Sequence, residues 1–447
     1  MSDQKTLEIA IEQVLELAQK SGAQADVIAS SNESFSLKAD QGELSEYKVT
    51  ASQVIGVRVI KDEHVAISYS ESLEPENLAQ MVDQALTNAS FTKKDPLQKI
   101  HAEGLNISTD YPEIYQQDDA TPEQKIELAL SLEGKIREKP LAKGAPYNGY
   151  SENSGITLLG NTLGTRCFHQ SRSLSCYTAA LIDHNDKQAM HVAASVARTF
   201  DGLTSEKVIN NAYDMAEALL EGTPIATGQY SVIFEQDSLN EVLGAFGSVF
   251  SGESAKRGIN PWRDKIGQQV ASPLLSFRDV AYMPGGHAIK SFDGEGFATS
   301  DTPLIENGEL VGLLHNSATA AHFGVAHTAN AGRSPKGTLS VSSRHDVIGA
   351  GTSSEAEVTA GEYLELVDLQ GVHSGADAIS GDFSFGASGF LCQDGKRIQP
   401  VRGITVAGNF YNMIKEVEAV GSTVVPNYAG QFYSPLIRFA RLNIAGK

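Results

Sequence analysis

One pattern appears twice in the first half of the chain, and it narrows the possible folds more than any other feature. Residues 34–49, SFSLKADQGELSEYKV, alternate in polarity and turn at Asp40-Gln41-Gly42. Residues 52–70, SQVIGVRVIKDEHVAISYS, read as two strands around Lys61-Asp62-Glu63. Alternation with a period of two marks a half-buried strand, because successive side chains leave a strand on opposite faces. A helix follows, with Pro75 near its first turn and Leu78, Val82 and Ala85 on one face. Residues 154–168 and 175–197 resemble the two hairpins, and 203–222 resemble the helix, with Leu203, Val208, Ala212 and Met215 matching Leu73, Leu78, Val82 and Ala85. The pattern predicts a duplicated unit of four strands and a helix over about residues 1–90 and 150–225. Any two hairpin-plus-helix units share this much, so unrelated units are the alternative.

Around these units the signals are local. Leu7, Ile11, Val14, Leu15 and Ala18 share one face of a helix that Gly22 can end. Residues 90–120 read as a polar connector, and a connecting helix starts at Thr121, where Gln124 completes a capping box and Pro122 takes the first helical position. From residue 228 short β-like segments alternate with Gly-rich turns: GQYSVIFE, GELVGLLHNS, GTLSVSS, GEYLELVDLQGV, GDFSFGASGFLC, VRGITVAGN and PLIRFARLNIAG. The expected fold class is α+β: an N-terminal domain over 1–225, built of antiparallel strands and helices, then a β-rich domain over 226–447, a barrel or sandwich. The boundary falls in residues 220–229.

Charge and cysteine usage exclude several functions. The formal net charge is −20, with no Lys/Arg cluster to displace counterions from phosphates, which argues against direct nucleic-acid contact and against anionic membrane. No run approaches 18 apolar residues, and the start, MSDQKTLEIAIEQ, lacks a basic region followed by an apolar one. A cytoplasmic protein is expected. Three cysteines, Cys167, Cys176 and Cys392, form no Cys-x-x-Cys pair, and their odd count argues against a disulfide framework.

The chemistry turns on residues 240–245, NEVLGA. A zinc peptidase needs imidazoles on the metal, an open position for water, and a carboxylate to take that water's proton. In H-E-x-x-H the two histidines share a helix face; spaced five apart they diverge by about 140°, so a helix distortion or end must bring them together. NEVLGA has the skeleton of the wider motif. Glu241 stands at the general-base position and Gly244 where the helix would loosen, but Asn240 and Ala245 stand where histidines would be. An amide is a poor zinc ligand and a methyl group cannot ligate.

These residues resemble the PmbA/TldD family, described as modulators of DNA gyrase and as metalloproteases. Further resemblances are Arg257-Gly258, VAS at 270–272, GRSPKGTL at 332–339, GDFSFGASGF at 381–390 and VRGITVAGN at 401–409. The zinc-bearing, TldD-like branch carries H-E-A-V-G-H at this place and a cysteine ligand in a segment that corresponds here to GSTVVPNYAGQFYSP, 421–435, which has no cysteine. The chain is similar to the other branch, which lacks the motif. The resemblance thus implies no zinc in this chain, with Glu241 a surviving general-base position; a partly solvated helix glutamate is the plain alternative.

Other candidates are weaker. His315, His322 and His327 lie within 13 residues, but no carboxylate follows His322, so they are candidates for pocket lining more than for metal. Ser334, between Arg333 and Lys336, sits in no nucleophile elbow, and Asp382 reads as a turn former. The acids of GEGFATSDTPLIENGEL could bind a cation or simply be solvated.

Three functions follow. The first is the non-metal subunit of a two-chain zinc peptidase acting on extended peptides of the microcin-leader or antitoxin type, as the resemblance implies. Zinc would then sit only on a TldD-like catalytic partner, and this chain would build chamber and interface, with homodimers in isolation. The second is a peptide-binding or regulatory protein without catalysis, and the third a peptidase with an unrecognised site.

Overall fold

The structure is a computed structural model and describes residues 2–102, 105–108 and 112–447. Helix α1 (Ser2–Lys20) buries Leu7, Ile11, Val14, Leu15 and Ala18, the five residues of its apolar stripe. Strands β1 (Gln24–Asp40) and β2 (Glu43–Lys61) turn through Gln41 and Gly42, and β3 (His64–Ser70) follows a second two-residue turn. Both turns run through positive φ at both central residues, 54° and 83° in the first and 52° and 69° at Asp62 and Glu63 in the second. Such turns match the right-handed twist of the strands they join. Helix α2 (Pro75–Ala89) buries Leu78, Met81, Val82, Ala85 and Ala89.

The expected four strands per unit are three. No Pro, Asn or Asp interrupts residues 43–61, and their one glycine, Gly56, lies within the second predicted segment, so the end of one predicted hairpin and the start of the next are a single 19-residue strand. The same fusion recurs in β4 (Asn148–Asn161), β5 (Arg166–His184) and β6 (Lys187–Ala197). Helix α3 (Pro122–Arg137), whose Thr121–Gln124 capping box is present, is more than a connector. With α4 (Ser205–Leu220) it packs on the second set of strands as α1 and α2 pack on the first. Antiparallel pairing of β1 with β4 joins the two sets into one sheet, in the order β3-β2-β1-β4-β5-β6.

The helices cover one face of this sheet. Val27, Ala29 and Leu37 of β1 point into helix-covered cores. Asp26 and Ile28, of opposite parity, point towards the second half of the chain.

That second half is built on β7 (Gly228–Phe234), β8 (Glu362–Gln370), β9 (Asp382–Gln393), β10 (Lys396–Asn409) and β11 (Ile437–Ala445). They pair in the order β10-β9-β8-β7-β11, and β10 returns to β11 through Thr405–Ala445, Val406–Ile444 and Ala407–Asn443. The sheet therefore closes on itself as a barrel, filled by Val232, Phe234, Leu364, Phe385, Val406 and Phe439 among others. Two expected strands are vestigial: GELVGLLHNS contributes only Glu309–Leu310 and GTLSVSS only Ser340–Val341.

The GRSPKG loop joins the halves. Arg333 is buried and pairs with Asp26, which also holds Arg58 through a bond of 3.0 Å from Nε. Lys336 reaches Glu71 at 2.5 Å and lies over the Tyr69 ring. Gly56 of β2 meets Pro335 so closely that a Cβ would fall 1.7 Å from the Pro335 carbonyl oxygen, so no other residue fits there. Of the acids in GEGFATSDTPLIENGEL, Asp301, Glu306 and Glu309 are exposed and Glu295 is buried, as is Asp293 just before the stretch. Glu295 accepts from Ser317 at the start of a short helix, and Asp293 from the backbone of Glu295, Phe297 and Ala331.

Candidate functional site

Helix α5 (Gln236–Phe246) forms because Leu239, Val242 and Phe246 recur at helical spacing and are buried, and because Glu235 caps it. The Glu235 carboxylate accepts from the Asp237 backbone N–H at 2.9 Å. Phe246 stacks on Phe410, ring centroids 4.4 Å apart, and fixes the helix against the barrel. The helix stays regular through Gly244, beside which a Cβ would have open space, and tightens into a single 3-10 turn only from Gly247. Glu241 is exposed, while Asn240 and Ala245 are half-buried, Ala245 against the core.

Segment 421–435, 180 residues downstream, folds onto the start of this helix. Gln236 Nε2 donates to the Ser434 carbonyl at 3.1 Å. Asn427 Oδ1 accepts from the backbone of Gln431 and Phe432 at 3.1 Å, which places its amide beside Asp237. Tyr428, 55% exposed, stands beside Asp237 and Glu241. The structure thus brings together the two segments in which the sequence lacks the family's metal ligands.

The corner is acidic. Burial, then the neighbouring Glu235 charge, push the Asp237 carboxyl up to about 7, against the hydrogen bonds from Asn427 and the Tyr428 backbone. Glu241 is raised by burial and by Asp368, with His373 opposing. Burial raises the Tyr428 hydroxyl, and both carboxylates add to it. A carboxyl that holds its proton near neutrality can donate it, and the ionised neighbours attract cationic groups. A metal-holding role does not fit. Asn240 and Ala245 offer an amide and a methyl, and among the described residues no three His, Cys, Asp or Glu side chains group so as to hold an ion.

The three histidines have separate surroundings. His315 is 6% exposed, bonds Thr319 Oγ1 through Nδ1 at 3.1 Å, and is pushed down to about 4 by burial. His322 is exposed against Phe323, and His327 lies on Phe297 with centroids 3.9 Å apart. Ser334 lies in the loop that clamps the two halves, and Asp382 opens β9, where its carboxylate accepts from the amide of its cross-strand partner Asn409 at 2.8 Å rather than closing a turn. All three cysteines are buried and free, their thiols raised by burial.

Asp237, Asp368, His373 and Tyr428 are additions to the residues picked from sequence. Asp237 was within reach, since it lies one turn before Glu241 on the same face. The other three come from distant segments and carry no local signal.

Beside this corner runs the outer edge of β6. The His184–Lys187 turn makes the odd-numbered residues of β6 the ones bonded to β5, so the even ones turn their backbone groups outward. Arg402 accordingly reaches the Gln188 carbonyl at 2.6 Å. Met190 and Val192 follow, 43% and 46% exposed, and the charge of Asp368 reaches His191 on the same strand.

Three family profiles match the chain: the PmbA/TldA metallopeptidase domain 1 over residues 25–89, the central domain over 115–220 and the C-terminal domain over 227–446. The metalloprotease PmbA of Escherichia coli is 25% identical over 428 residues, covering 95% of this chain and 93% of that protein. The PmbA homologue of Haemophilus influenzae is 27% identical over 432 residues, with the same coverage of 95% and 93%. The crystal structure of TldE from Thermococcus kodakarensis superposes with a TM-score of 0.85 at 20% identity, covering 98% of this chain and 100% of that one.

Proposed function

The chain belongs to the PmbA/TldA metallopeptidase family, and we propose that it serves as the non-metal subunit of a two-chain peptidase. Zinc then resides on a TldD-like partner. The observation that carries this reading is the α5 corner: it has the helix, the glutamate and the folded-back segment, yet offers Asn240 and Ala245 at the motif's histidine positions and no cysteine in 421–435. The chain contributes walls and an interface, and the substrate is an extended peptide. The outer edge of β6 supports that substrate class, because an unpaired edge can bond the backbone of an extended chain with little regard to sequence. The acids of the corner favour basic peptides. No described helix is long and apolar enough to cross a membrane, and action in the cytoplasm is part of the proposal. A net charge of −20 speaks against direct DNA contact.

Elemental analysis of the purified chain tests the reading. Sub-stoichiometric zinc, unchanged after incubation with zinc and desalting, is the expected result. One tightly held zinc per chain contradicts it and redirects attention to a site outside α5.

A further inference from the structure

We infer that Lys290 and Arg198, with His169 and His287 beside them, form a carboxylate-binding site that receives the C-terminus of an extended peptide lying parallel to β6. The inference rests on the reading of β6 as a peptide-binding edge and gives that edge a direction. Arg198 directly follows β6. Strand β5 runs on past this end, because β6 pairs only with residues 174–184, and it carries His169 there. His287 and Lys290 come from the segment that packs on this part of the sheet, where the Phe292 ring stands edge-on to His169 with centroids 6.4 Å apart.

The groups are fixed by bonds to carbonyls and through their own backbone. The Arg198 guanidinium donates to the Arg172 carbonyl at 2.7 Å and to the Gly286 carbonyl at 2.9 Å. The His287 N–H donates to the Gly430 carbonyl at 2.9 Å, and the Lys290 carbonyl accepts from Thr299 Oγ1 at 2.6 Å. Counter-charge is scarce. Asp279 is taken by Arg344, and Glu113, bonded to Tyr282, acts on Arg198 only from a distance. Among the described residues no carboxylate forms an ion pair with Lys290 or Arg198. Lys290 is open to water on one side, yet burial and then the Arg344 charge lower its ammonium, as in a cleft wall. His287 Nδ1 is buried and meets no partner among the described residues.

Desolvated cations without carboxylates, in a chain of net charge −20, point to an anion supplied from outside. A guanidinium carries more N–H donors than the two carbonyl bonds use, and bonds from Arg and Lys to a carboxylate are the strong, charge-assisted kind. The place of the cluster selects a chain terminus. Even-numbered residues of β6 turn their backbone groups outward, and Val196, the last of them, stands next but one to Arg198. A peptide parallel to β6 brings its C-terminal carboxylate to this end. An antiparallel one brings its ammonium group among cations, which repel it. The acidic corner is close by. Tyr428 stands beside Asp237 and Glu241, while Gly430 holds His287, and two residues of chain span no more than about 7 Å. Basic side chains and the terminal carboxylate of one peptide thus meet neighbouring sites of opposite sign.

Fluorescence anisotropy on the full chain, without partner or metal, tests the site. The probe is a short unstructured peptide of Ala, Thr and Lys, labelled at its N-terminus and made as the free acid, as the C-terminal amide, and as the amide with one internal glutamate. The free acid is expected to bind about tenfold more tightly than either amide. Lys290→Gln is expected to remove that preference and Lys290→Arg to keep it, with circular dichroism unchanged in both, since the Lys290 side chain bonds no described residue. Equal binding of acid and amide overturns the carboxylate site alone and leaves the edge and the subunit reading standing. Failure of every peptide to bind overturns the site and the edge together. A glutamate-bearing amide that binds as tightly as the free acid assigns the site to acidic side chains and overturns the terminal assignment, as does a preference that survives Lys290→Gln.

Discussion

Asp237 sets the residue scale, because its carboxyl and its fold are coupled. Its folded pKa of about 7 lies above that of an unfolded aspartate, near 4, so between these values the folded chain binds the proton more tightly. Stability from this group is therefore fully present in acid and falls as pH rises through 7. Asp237→Asn cannot ionise and removes that part of the decline. Urea denaturation should find the variant more stable than the parent by about 1–3 kcal/mol at pH 8, with the gap closing towards pH 4. An equal gap at both pH values would mean that folding does not shift this carboxyl's pKa. The same scale shows what single residues could reveal. Asn240 and Ala245 were legible as missing ligands because the spacing of the motif survives around them. The elevated carboxyl of Asp237 was not, since half of its environment comes from Asn427 and Tyr428.

Between elements, the periodic signals were the readable ones. The stripes of α1 and α2, the capping box of α3 and the turn at Gln41-Gly42 all follow from local chemistry. The strand count went wrong where polar, exposed residues of β2 dilute the alternation; the lack of any Pro, Asn, Asp or Gly between Glu43 and Ile55 was the signal that a single strand continues. The role of GRSPKG was hidden for another reason: Arg333 acts on Asp26, 307 residues away. Its buried pairing with Asp26 and Arg58 makes the loop a clamp between the two halves. Arg333→Ala leaves Asp26 with one guanidinium in a dry site and should cost about 3 kcal/mol in urea denaturation. Lys336→Ala, at an exposed, solvent-screened pair in the same loop, should cost far less. Equal costs would place the clamp elsewhere.

For the whole molecule, the class and the family were legible, and the closure of the barrel was not. Closure depends on β10 meeting the last strand, and pairing partners that far apart leave no local trace. The same long reach brings 421–435 onto α5 and makes one corner of two separate sequence gaps. In the proposed function this corner works beside a partner's metal and holds none itself. The most direct test is the cleavage rate of an unstructured basic peptide by this chain alone, by a TldD-type chain alone, and by the two together. No cleavage by this chain alone and robust, chelator-sensitive cleavage on mixing are expected. Chelator-sensitive cleavage by this chain alone would contradict the proposal.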